Sequence, residues 1–112
     1  MEFEELKLEI FIPESHLSVL RSTLQSVGAG RLGNYDSCLA YSRVTGSWLP
    51  LCGSRPYLGT EGELSEAEEI KVEVNIRAED LEKTLNAVYE VHPYEEPLVN
   101  VVPILNRKKV QK

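Results

Sequence analysis

The chain has 112 residues, of which 42% are hydrophobic and 27% are charged, which is the mix of one ordinary globular domain. The chain has 12 Lys and Arg and 18 Asp and Glu, so its formal charge is −6. Because an acidic chain repels the phosphate backbone, nucleic-acid binding is not expected. There is no long apolar run, and three of the first five residues are glutamates, so we expect neither a membrane span nor a signal peptide. Two cysteines, Cys38 and Cys52, are too few for a disulfide scaffold, which favours reduced thiols and a cytoplasmic location.

The chain contains an internal repeat. Residues 6–12 read Leu-Lys-Leu-Glu-Ile-Phe-Ile, and residues 70–76 read Ile-Lys-Val-Glu-Val-Asn-Ile. Both alternate apolar and polar side chains, which is the period of a strand with one buried face. We therefore expect the two strands side by side at the centre of a sheet and pointing the same way. Their charged residues are expected to pair on the outer face, namely Lys7, Glu9, Lys71 and Glu73.

A segment with helical spacing follows each repeated strand. The first apolar stripe comprises Leu17, Leu20, Leu24 and Val27, and the second comprises Leu81, Leu85, Val88 and Val91. Gly28 can end the first helix in a left-handed conformation. Pro93 ends the second, because the residue before a proline disfavours helical backbone.

Two further strands are predicted at about 35–45 and 98–104. The order is then β-α-β, an insertion, and β-α-β. This describes a ferredoxin-like plait, an α+β fold with a four-stranded antiparallel sheet and two helices on one face. We treat residues 1–112 as a single domain with an ordered arm at about 46–69 and a basic tail at 107–112.

The two outer strands, 35–45 and 98–104, carry apolar residues on both faces. A strand buried on both sides needs a second layer, which a second copy of the chain or the arm would supply. We expect a homo-oligomer; the alternative is that the arm folds over its own sheet and leaves a monomer. The interface candidates are Leu39, Tyr41, Trp48 and Tyr57.

The most distinctive peptide is His-Pro-Tyr-Glu-Glu-Pro at 92–97. Its prolines bracket a short turn that holds an imidazole, a phenol and two carboxylates. His92, Glu95 and Glu96 are residue types that bind divalent cations, and Tyr94 lies between them. The structural alternative is that His92 bonds the last carbonyls of the helix while the prolines shape the turn.

A second candidate, Gly-Ala-Gly-Arg-Leu-Gly at 28–33, matches G-x-G-x-x-G. A helix precedes it and a strand follows, which is the reverse of a dinucleotide site. Two hypotheses remain: an anion nest built on Gly28, Gly30, Gly33 and Arg31, or a helix cap with a tight turn.

Asp36 and Cys38 follow as further ligand candidates, although a buried free cysteine usually behaves as a small hydrophobe. Gly28 aligns with His92 in the repeat. We therefore expect the glycine-rich segment and the 92–97 turn at the same end of the plait.

In this order, the segments 28–38, 53–59, 69–73 and 92–97 resemble the insert domain of the YqfO family, also called NGG-interacting-factor-three-like. The resemblance implies a fold similar to CutA and PII signalling proteins, which commonly assemble as trimers. It also implies that full-length members carry a dinuclear metal site on flanking domains. This sequence has only two histidines, so that site and its hydrolase activity are not transferred.

The sequence therefore predicts a non-enzymatic, oligomeric binding or regulatory module, with a small ligand or a divalent cation at subunit clefts. One alternative is a structural module that docks on a protein partner through the arm. The other is a metal-dependent hydrolase that uses His92 and Glu95.

Overall fold

Residues 2–105, the part of the chain described by this computed structural model, form four strands and two helices. In chain order the elements are β1 (Glu5–Ile12), α1 (Leu17–Ser26), β2 (Leu39–Trp48), β3 (Ser65–Arg77), α2 (Leu81–Val91) and β4 (Val99–Ile104). A 3-10 turn precedes each helix, at Glu14–His16 and Ala78–Asp80. No helix within residues 2–105 has the length and hydropathy that a bilayer span requires.

The sheet is antiparallel throughout, with strand order β2-β3-β1-β4, which confirms the ferredoxin-like plait. The two repeated strands are central neighbours, with Leu8 opposite Val74 and Ile10 opposite Val72. They run in opposite directions, so the expectation that they point the same way is wrong. The two repeats are related by an approximate two-fold axis perpendicular to the sheet, which makes the paired strands antiparallel and places equivalent positions at opposite ends of the sheet.

The hydrophobic core lies between the two helices and one face of the sheet. Both helices end as predicted: Gly28 follows α1 at φ +79°, and His92 follows α2 with the extended backbone that Pro93 favours. The core side chains with an exposed fraction of 2% or less are Leu8, Ile10, Ile12, Leu20, Leu24, Ile70, Val72, Val74 and Val88.

The outer face of the sheet is ionic at its centre. Lys7 Nζ lies 2.8 Å from Glu73 Oε1 and 3.1 Å from Glu9 Oε2, and Lys71 Nζ lies 3.6 Å from Glu9 Oε2. Hydrogen bonds from Lys7 and then Asn100 lower the pKa of Glu9. The predicted pairing of opposite charges is confirmed.

Strand β2 begins later than the sequence predicts. It starts at Leu39 rather than at residue 35, and it extends to Trp48. Ser37 has φ +58°, a left-handed conformation that a strand does not use, and Leu32 and Tyr35 form a separate bridge. Cys38 therefore lies just ahead of the strand and not within it.

A long hairpin joins β2 to β3 and ends in an irregular segment. The predicted arm at 46–69 overlaps both strands, and residues 49–64 between them are called the arm below. The Gly62 N–H donates to Pro50 O at 2.8 Å, and the Trp48 indole N–H donates to Leu58 O at 3.0 Å. The basic tail predicted at 107–112 lies outside the described residues.

We expect Gly30→Ala to destabilise the fold more than Gly28→Ala. Both glycines have a left-handed backbone, at φ +78° and +79°, which costs a residue with a side chain about 1–2 kcal/mol. A Cβ at Gly30 would also lie 2.9 Å from the carbonyl oxygen of Cys38, whereas a Cβ at Gly28 meets open space. Urea denaturation measures both losses, and equal losses would contradict the packing at Gly30.

Candidate functional site

His92 ties the turn after α2 to the end of β1. Its ring Nε2–H donates to Phe11 O at 2.6 Å, and the Tyr94 backbone N–H donates to its Nδ1 at 3.2 Å. These partners assign the neutral tautomer with the proton on Nε2. Burial lowers the pKa of the imidazole below its ordinary value, although the hydrogen bond to Phe11 opposes that shift.

Both nitrogens of His92 are therefore engaged, and neither is free to coordinate a metal ion. Glu95 and Glu96 are exposed, and residues 2–105 contain no group of three or more His, Cys, Asp and Glu side chains arranged to hold a metal ion. The geometry fits the structural alternative for His92 with one difference. The imidazole bonds the carbonyl of strand residue Phe11 and not the last carbonyls of α2.

Tyr94 and Glu69 form a polar pair beneath the same turn. The Tyr94 hydroxyl donates to Glu69 Oε2 at 3.0 Å, and Glu69 is only 8% exposed. Burial, followed by the charge and hydrogen bond of Glu69, raises the pKa of Tyr94, so the phenol stays protonated near neutral pH. Gly46 in β2 makes room for the pair, because a Cβ there would overlap Glu69 Oε1.

The arm contacts the 92–97 turn through Arg55 and Tyr57. The Arg55 backbone N–H donates to Glu95 Oε1 at 2.8 Å. The Tyr57 ring centroid lies 5.8 Å from that of Tyr94 and 6.0 Å from that of His16. The arm and the turn thus form two walls of one cavity.

This cavity, called the arm cleft below, has a volume of about 560 Å³, which is in the range of small-molecule sites. Glu69, Glu95 and Glu96 line it, and no Lys, Arg or His is among the described residues that do so. Within residues 2–105, Ser54 Oγ is a buried polar atom without a hydrogen-bond partner, and Ser54 also lines the cleft. The apolar and aromatic lining includes Phe11, Trp48, Pro50, Leu51, Tyr57 and Tyr94.

The glycine-rich segment lies at the opposite end of the sheet. The Gly30 N–H donates to Asn75 O at 3.0 Å, and Asn75 is opposite Lys7. Phe11, which holds His92, is four residues further along β1, roughly 13 Å away at ~3.3 Å per residue. The expectation that the two segments share one end is wrong, because the two-fold relation of the repeats separates them.

The anion nest predicted in the glycine-rich segment does not fit its contacts. The Gly28 N–H donates to Gln25 O at 3.1 Å, and that of Gly30 donates to Asn75 O. The Arg31 Nε–H donates to Gly33 O at 3.2 Å. These bonds close the end of α1 and the following loop, so the cap-and-turn alternative accounts for the segment.

Asp36 and Cys38 are held by local contacts in that loop. Asp36 accepts hydrogen bonds from the Gln25 amide at 3.2 Å and from the Ser37 hydroxyl at 3.1 Å. The Cys38 thiol donates to the Asp36 carbonyl at a sulfur–oxygen distance of 3.8 Å. Neither residue lies near the 92–97 turn, so the structure does not join the two sets of predicted ligands.

The four interface candidates separate into two pairs. Leu39 packs against the core, and Tyr41 is 51% exposed with the Arg21 guanidinium 5.8 Å from its ring centroid. Trp48 and Tyr57 instead line the arm cleft.

Sequence reasoning missed Glu69, Gly46, Phe11 and Ser54. Glu69 follows Glu66 and Glu68, and nothing local marks it as the buried one. The alternation of β3 places Glu69 on the outer face with Lys71 and Glu73, but it does not indicate that Glu69 alone is buried there.

Solved structures place the fold in the CutA-like class. The chain matches the periplasmic divalent cation tolerance protein CutA from Archaeoglobus fulgidus with a TM-score of 0.69 at 18% identity, over 94% of this chain and 88% of that one. CutA1 from Shewanella sp. SIB1 matches with a TM-score of 0.71 at 15% identity, over 96% and 88%. Likeness at these identities shows the fold alone.

Sequence relatives give a more specific similarity than the fold does. The chain is 37% identical over 100 residues to the GTP cyclohydrolase 1 type 2 homolog of Halalkalibacterium halodurans, covering 89% of this chain and 27% of the relative. The protein of that name from Bacillus subtilis is 33% identical over 98 residues, covering 88% and 26%. A solved Bacillus cereus protein related to NIF3 matches with a TM-score of 0.81 at 35% identity, over 93% and 26%. No protein-family model matches the chain.

The chain is a homologue of one part of the YqfO, or NGG-interacting-factor-three-like, proteins and shares the CutA-like fold. It spans about a quarter of the length of the curated relatives that it matches.

We expect His92 to make folding stability depend on pH. Its folded-state pKa is lowered, so the unfolded chain binds the proton more readily. The stability that His92 contributes is complete above its ordinary pKa of 6.5 and is lost as the pH falls below that value. Urea unfolding between about pH 5.5 and 7.5 measures the slope.

The matched variants are His92→Gln and His16→Gln. Glutamine at 92 keeps an N–H donor for Phe11 but does not titrate, so the slope should flatten. His16→Gln leaves the His92 hydrogen bonds intact and removes only the smallest cause of the lowered His92 pKa, so most of the slope should remain. An unchanged slope in His92→Gln would refute the burial of a neutral imidazole.

Proposed function

We propose that this chain is a non-catalytic, oligomeric binding module whose arm cleft holds a small ligand. The observation that carries the proposal is the cleft itself, a cavity of about 560 Å³ with apolar walls and a few polar groups. The free thiols of Cys38 and Cys52 fit a reducing compartment, so we place the protein in the cytoplasm.

A binding role is favoured over the hydrolase alternative because the two residues proposed for catalysis, His92 and Glu95, already make structural hydrogen bonds. A general base needs a lone pair within reach of its substrate, and both nitrogens of His92 are already hydrogen-bonded. Glu95, its proposed partner, accepts the Arg55 N–H and holds the arm.

Apolar side chains exposed on the arm support an oligomer. Leu51 is 70% exposed, Leu64 is 68% exposed, and Leu49 and Leu58 are about half exposed. Single exposed leucines are ordinary, but several on one short segment are typical of an interaction surface. The CutA-like fold favours a trimer, and we propose that the arms pack against neighbouring subunits.

We expect sedimentation equilibrium to give a mass of three times the chain mass of 12.6 kDa. The double variant Leu51→Lys/Leu64→Lys places charges in the proposed interface and should shift the mass toward one chain while the far-UV spectrum is retained. Val19→Lys is the control, because Val19 is an exposed apolar residue on α1. A wild-type monomer at high concentration would overturn the assembly and favour docking of the arm on a different protein.

Divalent cations are the second class of ligand that the sequence suggests, and they test the role of His92. With both imidazole nitrogens engaged, we expect Zn²⁺, Cu²⁺ and Mn²⁺ to give the same calorimetric titration with wild type and with His92→Gln. A strong heat signal that is present in wild type and abolished in the variant would restore the metal hypothesis.

A further inference from the structure

The lining of the arm cleft indicates the charge of its ligand, an inference that rests on the proposed binding function. Three carboxylates line the cleft without a basic side chain among the described residues of its wall. The nearby Lys71 has its ammonium 5.9 Å from the centroid of the Phe11 ring, but it is paired with Glu9 on the outer face. Arg55 contributes its backbone N–H.

The carboxylates differ in what already holds them. Glu69 is almost fully buried, and Tyr94 donates one neutral hydrogen bond to it. Glu95 accepts one backbone N–H, from Arg55. A buried carboxylate is costly unless a cation or several donors compensate it, so the cleft as described favours an incoming positive charge.

Four aromatic rings complete the wall: Phe11, Trp48, Tyr57 and Tyr94. The face of an aromatic ring carries a negative quadrupole and attracts ammonium groups, and the attraction increases when water is excluded. The buried hydroxyl of Ser54, which lacks a partner within residues 2–105, can accept an N–H from the same group.

We infer that the arm cleft binds an organic ammonium, that is, a protonated amine or quaternary ammonium carried on an apolar or aromatic body. The aromatic rings and leucines that line the arm cleft receive the body, and the glutamates receive the charge. The same lining disfavours carboxylate and phosphate ligands, because they would face the glutamates without a cation.

The test uses three probes of matched size that differ in charge: phenethylammonium is positive, 2-phenylethanol is neutral and phenylacetate is negative. Trp48 is the sole tryptophan in the sequence and lines the cleft, so its fluorescence reports binding there. We expect phenethylammonium to bind at least tenfold more tightly than 2-phenylethanol, and phenylacetate to bind more weakly than either. Added salt should weaken the ammonium alone.

Matched variants locate the charge preference. Glu96→Gln removes one charge from an exposed position of the cleft and nearly keeps the side chain's size, so it should reduce the preference for phenethylammonium over 2-phenylethanol severalfold. Glu63→Gln, which removes an exposed arm glutamate outside the cleft, should leave the preference unchanged.

The outcomes separate this inference from the proposed function. Equal binding of all three probes, or tighter binding of phenylacetate, overturns the inference and leaves the binding module standing. A fluorescence response to none of them at millimolar concentration overturns both. A preference that survives in Glu96→Gln and disappears in Glu63→Gln overturns the assignment to the arm cleft.

Discussion

The antiparallel pairing of β1 with β3 is the constraint on which the rest of the molecule depends. It places the apolar residues of both repeats on the helix face, and a slip of one residue would turn them all outward. The two-fold relation it creates sends the glycine-rich loop to one end of the sheet and the His92 turn to the other. The hairpin of β2 and β3 projects at the His92 end. The arm therefore meets one turn, and a cleft forms on that side.

Much of the fold follows from local periodicity, whereas the arm cleft does not. Alternation in 6–12 and 70–76 was sufficient to predict the core face and the ionic outer face, because the face of each side chain depends only on its position along one strand. The contacts of the cleft join residues far apart in sequence: Glu69 and Tyr94 are 25 positions apart, Arg55 and Glu95 are 40 apart, and His92 and Phe11 are 81 apart. No periodic pattern specifies such pairs.

Two expectations were wrong for one physical reason: that the repeated strands run parallel, and that the glycine-rich segment and the 92–97 turn lie at the same end. A repeat in sequence fixes which residues are equivalent, but it does not fix the symmetry operation that relates the copies. Translation would have kept Gly28 and His92 at one end, whereas the observed rotation separates them. The late start of β2 has a different cause, since the left-handed backbone of Ser37 carries no signature in its residue type.

The charge of the arm cleft also bears on what can be carried over from the named relatives. The chain corresponds to about a quarter of each GTP cyclohydrolase 1 type 2 homolog. Their name therefore refers to proteins of which this fold is only a part. A nucleoside triphosphate in the cleft would bring its negative charges against Glu69, Glu95 and Glu96. A cationic ligand would instead compensate the buried charge of Glu69, which the single hydrogen bond from the Tyr94 hydroxyl compensates only in part. Because such a ligand would bind the folded chain and not the unfolded one, it would also stabilise the contact between the arm and the turn.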